Sequence, residues 1–158
     1  MAGIYVHIPF CRKKCFYCDF YKTTAIADKQ PFLQALKRET ETQAAYLAGE
    51  TVETIYLGGG TPSVLEIDEL AALLGLFRNQ FPVSPGAEIT LEANPDDLTP
   101  EYLLHLRAAG FNRLSIGIQS FDDAALKKMN RRHTARQAFE SVEMAAAAGF
   151  CQISIDLI

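Results

Sequence analysis

Three of the four cysteines in this chain lie within residues 11–18, separated by gaps of three and two residues. Side chains at this spacing can converge only if the backbone wraps as a loop around one bound object. A disulfide would use two thiols and leave one over, and a closed zinc site normally takes four Cys or His ligands. Three thiolates suit a four-iron, four-sulfur cluster in which one iron has no protein ligand and stays open. Cys11, Cys15 and Cys18 are therefore expected to hold an iron–sulfur cluster, with zinc as the alternative.

Composition narrows the classes of protein to which such a loop can belong. The 158 residues suffice for one domain with a sizeable core, and 49% are hydrophobic and 22% charged, close to a globular average. A net charge of −4 gives no support for sequence-independent nucleic-acid binding. No apolar run approaches the ~18 residues of a transmembrane segment, and no basic leader precedes the cysteines. We expect a cytoplasmic protein, because clustered free cysteines suit a reducing compartment.

Short runs rich in β-branched residues alternate with segments that carry apolar side chains at helical spacing. The runs predict strands over residues 4–8, 53–57, 88–93, 113–119 and 152–158. The spacing predicts helices over residues 28–47, 67–81, 100–109, 122–129 and 134–148. Ser63 is expected to cap the second helix, and Thr99 the third.

This alternation predicts an α/β fold with a parallel sheet and helices packed outside it. A curved, partial β/α barrel with about five strands is favoured, and a flat, doubly wound sheet is the alternative. The chain stops at Ile158 with no helix to cover its last strand. Residues 1–158 are therefore expected to be the N-terminal part of the core domain of a longer protein.

Polar residues and glycines follow the predicted strands. In β/α barrels, functional side chains lie at the C-terminal ends of the strands. Those ends carry Cys11, Cys15 and Cys18, then Gly58 to Thr61, Glu92 and Asn94, Gln119, and Asp156. All of these residues are expected on one rim of the barrel.

The triple glycine Gly58-Gly59-Gly60 has two interpretations. It can be a tight turn from strand to helix, or it can let a ligand approach the backbone closely. A dinucleotide-binding fingerprint is excluded because it requires Gly or Ala where Ser63 stands. A Walker loop is excluded because no Gly-Lys pair precedes a Ser or Thr.

The remaining polar side chains of the rim suggest a small ligand. Either carboxylate, Glu92 or Asp156, would alone more often be a solvated or helix-capping group. Together with Gln119 they are expected to accept hydrogen bonds from the amine and hydroxyl groups of a small polar ligand. Arg131 either meets a carboxylate or lies in a solvated loop, and the sequence does not decide between the two.

The neighbouring sequence predicts the burial of the three histidines and of the fourth cysteine. We expect His7 to be a core histidine in a buried strand, and His105 and His133 to be exposed. Cys151, beside Phe150, is expected to be a buried core thiol.

The Cys-x3-Cys-x2-Cys spacing resembles that of the radical S-adenosylmethionine (SAM) enzymes, in which SAM binds the open iron and is cleaved when the cluster is reduced. Further motifs are similar to those of the oxygen-independent coproporphyrinogen III oxidase group, and they follow its order along almost the whole chain. They are Tyr5-x-His7-Ile8-Pro9-Phe10-Cys11, Gly58-Gly59-Gly60-Thr61-Pro62-Ser63, Glu92-Ala93-Asn94-Pro95, Ser115-Ile116-Gly117-Ile118-Gln119-Ser120-Phe121 and Ile155-Asp156-Leu157-Ile158.

The resemblance implies roles for individual residues. The three cysteines would ligate the 4Fe-4S cluster. The positions that would contact SAM, including a second SAM molecule, are Tyr5, Tyr17, Gly59, Gly60, Thr61, Glu92, Gln119, Arg131 and Asp156. The family fold is a partial β/α barrel of six strands followed by a C-terminal domain.

One departure from the oxidase pattern bears on function. The oxidases have a further cysteine two residues after the third ligand, and here that position is Phe20. The sequence Cys18-Asp19-Phe20-Tyr21 resembles instead a sister group of haem chaperones, which retain the cluster and SAM. The resemblance therefore implies a protein that binds haem and delivers it to haem-requiring proteins. Oxidative decarboxylation of coproporphyrinogen III is the alternative activity.

Overall fold

The computed structural model describes residues 2–158, which form one sheet of five parallel strands with helices between them. The strands are β1 (Ala2–Ile8), β2 (Val52–Gly59), β3 (Val83–Ala93), β4 (Arg113–Gln119) and β5 (Gln152–Leu157). The helices are α1 (Lys29–Thr42), α2 (Ile67–Gln80), α3 (Pro100–Ala109), α4 (Asp123–Lys128) and α5 (Ala135–Ala147). Within this described part of the chain, no helix is long and apolar enough to cross a membrane.

The strands lie in the order β1-β2-β3-β4-β5, so each pairs with its neighbour in the sequence. A doubly wound sheet reverses its strand order at a switch point. No reversal occurs among these strands, and the alternative of a doubly wound sheet is therefore wrong. Right-handed crossovers that always step in one direction place all the helices on the same face of the sheet.

Side chains alternate between the two faces of each strand. On β2, Ile55 and Leu57 are fully buried in the core cluster, whereas Tyr56 between them is only half-buried. The same alternation holds on β3, where Leu91 is buried beneath the helices and Glu92 faces the other way. The helix-covered face therefore forms the hydrophobic core. The opposite face is left free for polar groups.

The start of α3 agrees with the cap expected from the sequence, and glycines follow the ends of α3 and α5. The Thr99 hydroxyl accepts a hydrogen bond from the Tyr102 amide at 3.1 Å, ahead of Pro100 at the first helical position. Gly110 ends α3 with φ of 108°, and Gly149 follows α5 with φ of 89°. These left-handed conformations favour glycine and turn the chain towards the next strand.

The predicted boundaries of α1 and the predicted cap of α2 are wrong. Helix α1 ends at Thr42 rather than at residue 47. Thr40 is its one buried side chain, and residues 43–49 continue as turns in which Leu47 still packs against the core. The chain then leaves through Ala48 and Gly49, which both have positive φ. Ser63 lies in a 3₁₀ turn before α2, and Glu66 is the N-cap, where its amide donates to the Glu69 carboxylate at 2.8 Å.

The burial of two side chains is the reverse of that expected. Cys151 is exposed, because the chain turns at Gly149 so that the neighbouring Phe150 fills the core position. His133 is buried, with 3% of its surface exposed, and its Nε2 lies 2.9 Å from the Ile118 carbonyl oxygen. Its loop packs against the end of β4, whereas the local sequence reads as a charged connection between helices.

Candidate functional site

A cleft of about 510 Å³ opens at the C-terminal ends of the five strands. Eleven of the twelve residues predicted for the site line it. They are Cys11, Cys15, Tyr17, Cys18, Gly59, Gly60, Thr61, Glu92, Gln119, Arg131 and Asp156. The strand-end rule thus brings together residues that are up to 145 positions apart in the sequence, because parallel strands all end at the same edge of the sheet.

The cysteine loop begins at Cys11, which is buried directly after β1. The loop is closed at its base by two backbone hydrogen bonds, from Cys11 N to Thr23 O at 2.9 Å and from Thr23 N to Pro9 O at 2.8 Å. The Thr61 hydroxyl donates to Cys11 Sγ at 3.4 Å. Burial raises the pKa of the Cys11 thiol, and this hydrogen bond opposes the rise because it stabilises the thiolate.

The outer part of the cysteine loop is held by the segment that follows α4. The Phe16 amide donates to the Met129 carbonyl at 3.2 Å, and the Asn130 side chain donates to the Lys14 carbonyl at 2.7 Å. Asn130 adopts φ of 63°, a left-handed conformation that asparagine tolerates better than most residues. Neither contact is foreseeable from sequence, because the partners are more than 100 residues apart.

Arg131 lies in the cleft and bridges the cysteine loop to the rim. Its Nη1 is 3.5 Å from both Cys15 Sγ and the Tyr17 hydroxyl, and its Nη2 donates to Asn94 Oδ1 at 2.7 Å and to the Gly117 carbonyl. Its Nε is buried and has no partner within residues 2–158. Of the two interpretations of Arg131, the structure supports a side chain in the site rather than a solvated loop.

The Tyr17 hydroxyl lies beside both Arg131 and the thiol of Cys15. Burial raises the pKa of its phenol to about 12, although the positive charge of Arg131 opposes the rise. Tyr17 is therefore a neutral hydrogen-bonding group at physiological pH.

Glu92 ties the end of β3 to the end of β2. One carboxylate oxygen accepts from the Tyr56 hydroxyl at 2.7 Å and the other from the Gly59 amide at 3.0 Å. The pKa of Tyr56 is raised by burial and by the neighbouring Glu92 charge, so the phenol stays a donor. Tyr56 was not predicted as a residue of the site. Its alternation with Ile55 and Leu57 on β2, which places it on the polar face of the sheet, is the signal that indicates it.

The glycine motif has structural roles at each position. A Cβ on Gly58 would lie 2.9 Å from the Glu92 carboxylate, and one on Gly60 would lie 2.8 to 2.9 Å from backbone atoms of residues 8–10. The Gly59 amide is used by Glu92 and the Gly60 amide by the Ile8 carbonyl, at 2.8 Å. These contacts support the interpretation as a tight turn, and because Gly59 and Gly60 also line the cleft, the approach of a ligand to their backbone stays a prediction.

Gln119 and Asp156 complete the far side of the cleft. Gln119 is buried at a bulge where β4 and β5 shift register, and its φ of 68° is left-handed. Asp156 Oδ2 lies 3.5 Å from the Ser115 hydroxyl. Both side chains line the cleft from the paired strands β4 and β5.

Tyr5 is the predicted residue that does not line the cleft. It pairs in register with Tyr56, stacks on that ring with centroids 6.0 Å apart, and lies 3.2 Å from His7 Nδ1 through its hydroxyl. Its side chain is 60% exposed on the polar face of β1. Its influence on the cleft runs through Tyr56 and Glu92.

The donor set of the cleft fits a metal–sulfur cluster. All four cysteines are free thiols, and the three predicted ligands share one wall with the Arg131 guanidinium. Across residues 2–158, no group of three His, Cys, Asp or Glu side chains is arranged to hold a single metal ion. Thiolates that bind different irons of a cluster need not converge on one point. Arg131 would also offset the negative charge of such a cluster.

Comparison with protein families places residues 5–158 within the model of the radical SAM superfamily. Among curated proteins, the haem chaperone HemW of Mycobacterium tuberculosis is 42% identical over 160 residues, which cover 99% of this chain and 41% of that protein. The oxygen-independent coproporphyrinogen III oxidase of Escherichia coli is 38% identical over 158 residues, 99% of this chain and 35% of that protein. The chain thus spans 41% of the length of the first relative and 35% of the length of the second.

Among solved structures, coproporphyrinogen III oxidase (HemN) from Escherichia coli, described as a radical SAM enzyme, matches with a TM-score of 0.91 at 37% identity. The match covers 98% of this chain and 36% of that one. The hydrogenase maturase HydG from Carboxydothermus hydrogenoformans shares the fold at 18% identity, with a TM-score of 0.65 over 99% of this chain and 35% of that one. These likenesses confirm the predicted partial β/α barrel with five parallel strands.

Proposed function

Because the chain belongs to the radical SAM superfamily, we propose that Cys11, Cys15 and Cys18 ligate a four-iron, four-sulfur cluster and that SAM binds in the adjoining cleft. The observation that carries this proposal is the placement of three free thiols on the wall of a cleft lined by Glu92 and Arg131. The free thiols also suit a reducing compartment such as the cytoplasm.

The chemistry that the bound cluster would supply is an electron for cleavage of SAM at an iron left open by the protein. The side chains of the protein would bind and orient SAM. The Arg131 guanidinium offers a buried, unpartnered Nε and a positive charge, both suited to a carboxylate. Asp156 offers carboxylate oxygens to an amine or a sugar hydroxyl on the far side of the cleft. The site therefore presents a donor and an acceptor to the two ends of an amino acid derivative.

For the whole protein we propose a haem chaperone, which binds haem and passes it to haem-requiring proteins. Two observations support this choice over the oxidase. Relatives named haem chaperone HemW are 37 to 43% identical to this chain. Phe20, 70% exposed at the cleft, stands where the oxidase pattern has a further cysteine.

The second candidate is oxidative decarboxylation of coproporphyrinogen III. The specific observation in its favour is the TM-score of 0.91 to HemN, which shows that the cleft has the same scaffold in both proteins. The two candidates differ in class, because one moves haem and the other transforms a porphyrinogen.

Cofactor binding is tested first, with protein that has been reconstituted anaerobically with iron and sulfide. We expect a reduced-cluster EPR signal that shifts when SAM is added. Cys15→Ala should lose the signal, because two thiolates no longer hold the cluster. Cys151→Ala is the matched control, since this cysteine is exposed and does not line the cleft, and it should behave as wild type. A cluster indifferent to SAM would overturn the proposal.

The choice between chaperone and oxidase is tested separately on the same preparation. We expect stoichiometric uptake of haem, followed by absorbance, and no conversion of coproporphyrinogen III in the presence of SAM and a reductant. Conversion at a sustained rate, together with no haem uptake, would replace the chaperone proposal by the oxidase.

A further inference from the structure

A second set of charged residues lies behind the cleft and takes no part in the roles described so far. It is centred on Asp97, whose side chain is only 5% exposed. The Asp97 carboxylate accepts from the Ser63 hydroxyl at 2.8 Å, from Arg132 Nη2 at 2.9 Å, and lies 3.5 Å from Arg12 Nε. We call Arg12, Ser63, Asp97 and Arg132 the Asp97 network.

Each member of the Asp97 network comes from a different loop, and each loop follows a different strand of the first four. Arg12 follows β1, Ser63 follows β2, Asp97 follows β3 and Arg132 lies in the connection after β4. The carboxylate therefore joins four loops that have no sequence proximity. Pairing in a parallel sheet aligns the ends of the strands but does not fix the conformations of the loops that follow them.

Three of those loops carry residues proposed to hold the cofactors, and the loop after β3 is hydrogen-bonded to them. Arg12 directly follows Cys11 in the sequence, and Arg132 directly follows Arg131. Ser63 lies two residues after Thr61, whose hydroxyl donates to Cys11 Sγ. The backbone amide of Asn94 donates to the Ser63 hydroxyl at 3.2 Å. This hydrogen bond joins the start of the loop that carries Asp97 to the loop that carries Ser63 and Thr61.

The charges within the network are balanced locally. Arg132 also pairs with Asp96 at 2.5 Å, so two carboxylates face two guanidinium groups. The Asp97 side chain is 5% exposed, whereas those of Arg12 and Arg132 are 51% and 26% exposed. Loss of the Asp97 charge should therefore free Arg12 and leave Arg132 paired with Asp96 alone, so that the loops next to Cys11 and Arg131 lose their shared charged partner.

We infer that Asp97 is a positioning residue, which sets the four loops in register so that Cys11, Thr61 and Arg131 face one another across the cleft. This inference rests on the proposed binding of the cluster and SAM. Asp97 itself touches neither group, since it does not line the cleft. The effect is expected in cofactor affinity rather than in stability alone.

The test compares Asp97→Asn with a matched control, Glu69→Gln. Glu69 also accepts from several partners, Lys29 at 2.8 Å, Gln30 at 2.6 Å and the Glu66 amide at 2.8 Å, but these join α1 to α2 away from the cleft. Three quantities are measured on reconstituted protein or apoprotein: the SAM dissociation constant by calorimetry, the rate of iron loss to a chelator, and the urea midpoint of the apoprotein.

Asp97→Asn should weaken SAM binding and speed iron loss by about tenfold or more, the range seen for residues that orient cofactor ligands. Glu69→Gln should lower the urea midpoint while leaving both cofactor quantities within about twofold of wild type. In the double variant Asp97→Asn with Arg132→Gln, the loss of SAM binding free energy should be smaller than the sum of the two single losses, because the two residues share one contact and Arg132 has a further one to Asp96. If Asp97→Asn does not fold, Arg132→Gln alone makes the same test.

The inference is overturned if Asp97→Asn, or Arg132→Gln in its place, keeps wild-type SAM affinity and iron retention. It is also overturned if Glu69→Gln loses as much cofactor affinity as Asp97→Asn, because a general loss of stability would then explain both. A wild-type cluster that does not respond to SAM would instead reject the proposed function, so the two failures are distinguishable.

Discussion

At the scale of single residues, the cleft contains one clear case of backbone strain. Gln119 has φ of 68° although it carries a side chain, and it lies where the register of β4 and β5 shifts. Left-handed conformations cost non-glycine residues about 1 kcal/mol or more, and such residues concentrate at functional sites. The strain holds the Gln119 side chain at the rim, where a relaxed strand would direct it elsewhere.

This strain predicts an unusual order of stabilities for two truncations. Gln119→Ala and Gln119→Gly both remove the side-chain amide, but only glycine relieves the left-handed strain. We expect Gln119→Gly to be more stable than Gln119→Ala by about 0.5 to 1 kcal/mol, after the entropy that glycine loses on folding is subtracted. Urea unfolding of the two apoproteins measures the difference.

The control for this comparison is Gln34, an exposed residue inside α1. There the order should reverse, with Gln34→Ala more stable than Gln34→Gly by about 1 kcal/mol, because glycine disfavours a helix interior. Finding alanine favoured at both positions would show that Gln119 is not strained.

At the scale of secondary-structure elements, the contact between β1 and the glycine turn after β2 positions the cysteine loop. The Gly60 amide donates to the Ile8 carbonyl at 2.8 Å, and the turn packs directly against residues 8–10. No side chain separates the two segments. Cys11, the next residue along, is therefore placed by the packing of backbone against backbone.

Gly60→Ala should disturb this contact severely. The added Cβ would lie 2.8 Å from the Pro9 carbonyl carbon and 2.9 Å from the Ile8 and Phe10 oxygens, all of them backbone atoms that cannot rotate away. We expect a loss of about 1 to 3 kcal/mol in the free energy of unfolding, together with reduced iron content after reconstitution.

Gly75→Ala is the matched control, because a Cβ on Gly75 meets nothing within 4 Å in the middle of α2. This change should stabilise the protein by about 0.5 to 1 kcal/mol and leave the iron content unchanged. Equal effects of the two substitutions would contradict the role given to Gly60.

At the scale of the whole molecule, the loop after α4 is joined to the sheet through a buried histidine. His133 Nε2 lies 2.9 Å from the Ile118 carbonyl, and its Nδ1 has no partner within the described chain. Burial, and then the charge of Arg131, lowers the pKa of His133, whereas the Ile118 carbonyl and Asp96 oppose this shift. The neutral imidazole is therefore the form that the fold accommodates.

The lowered pKa gives the protein a pH-dependent stability whose sign can be worked out. Below an unfolded pKa of about 6.5 the unfolded chain takes up a proton that the folded protein resists, so stability should fall as the pH drops from about 6.5 through the folded value. His133→Gln should flatten this decline, since Gln keeps a donor for Ile118 but does not titrate. Urea unfolding of the apoprotein between pH 7.5 and 5, in about half-unit steps, measures it.

His105→Gln provides the comparison, because His105 is exposed on α3. It should show the same decline as wild type. If His133→Gln declines as steeply as His105→Gln, the buried histidine does not contribute to the pH dependence.

Much of this architecture could be predicted from the sequence because the signals are local. The order of strands and helices follows from periodicity and caps, and the cleft follows from the rule that parallel strands end at one edge. The prediction failed where long-range packing decides. His133 is buried by contact with β4, and Cys151 is exposed because Phe150 takes the core position. The contact of Tyr5 with SAM stays a prediction.

The hydrogen bonds between the cysteine loop and the segment after α4 have a consequence for how the protein is made. Asn130 and Lys14, like Arg131 and Cys15, are 116 residues apart. At a synthesis rate of about 5 to 20 residues per second, roughly 6 to 23 seconds pass between translation of the cysteines and translation of these partners. The cysteine loop can therefore close only after residues 129–131 have been translated, although its thiols are among the first residues to be made.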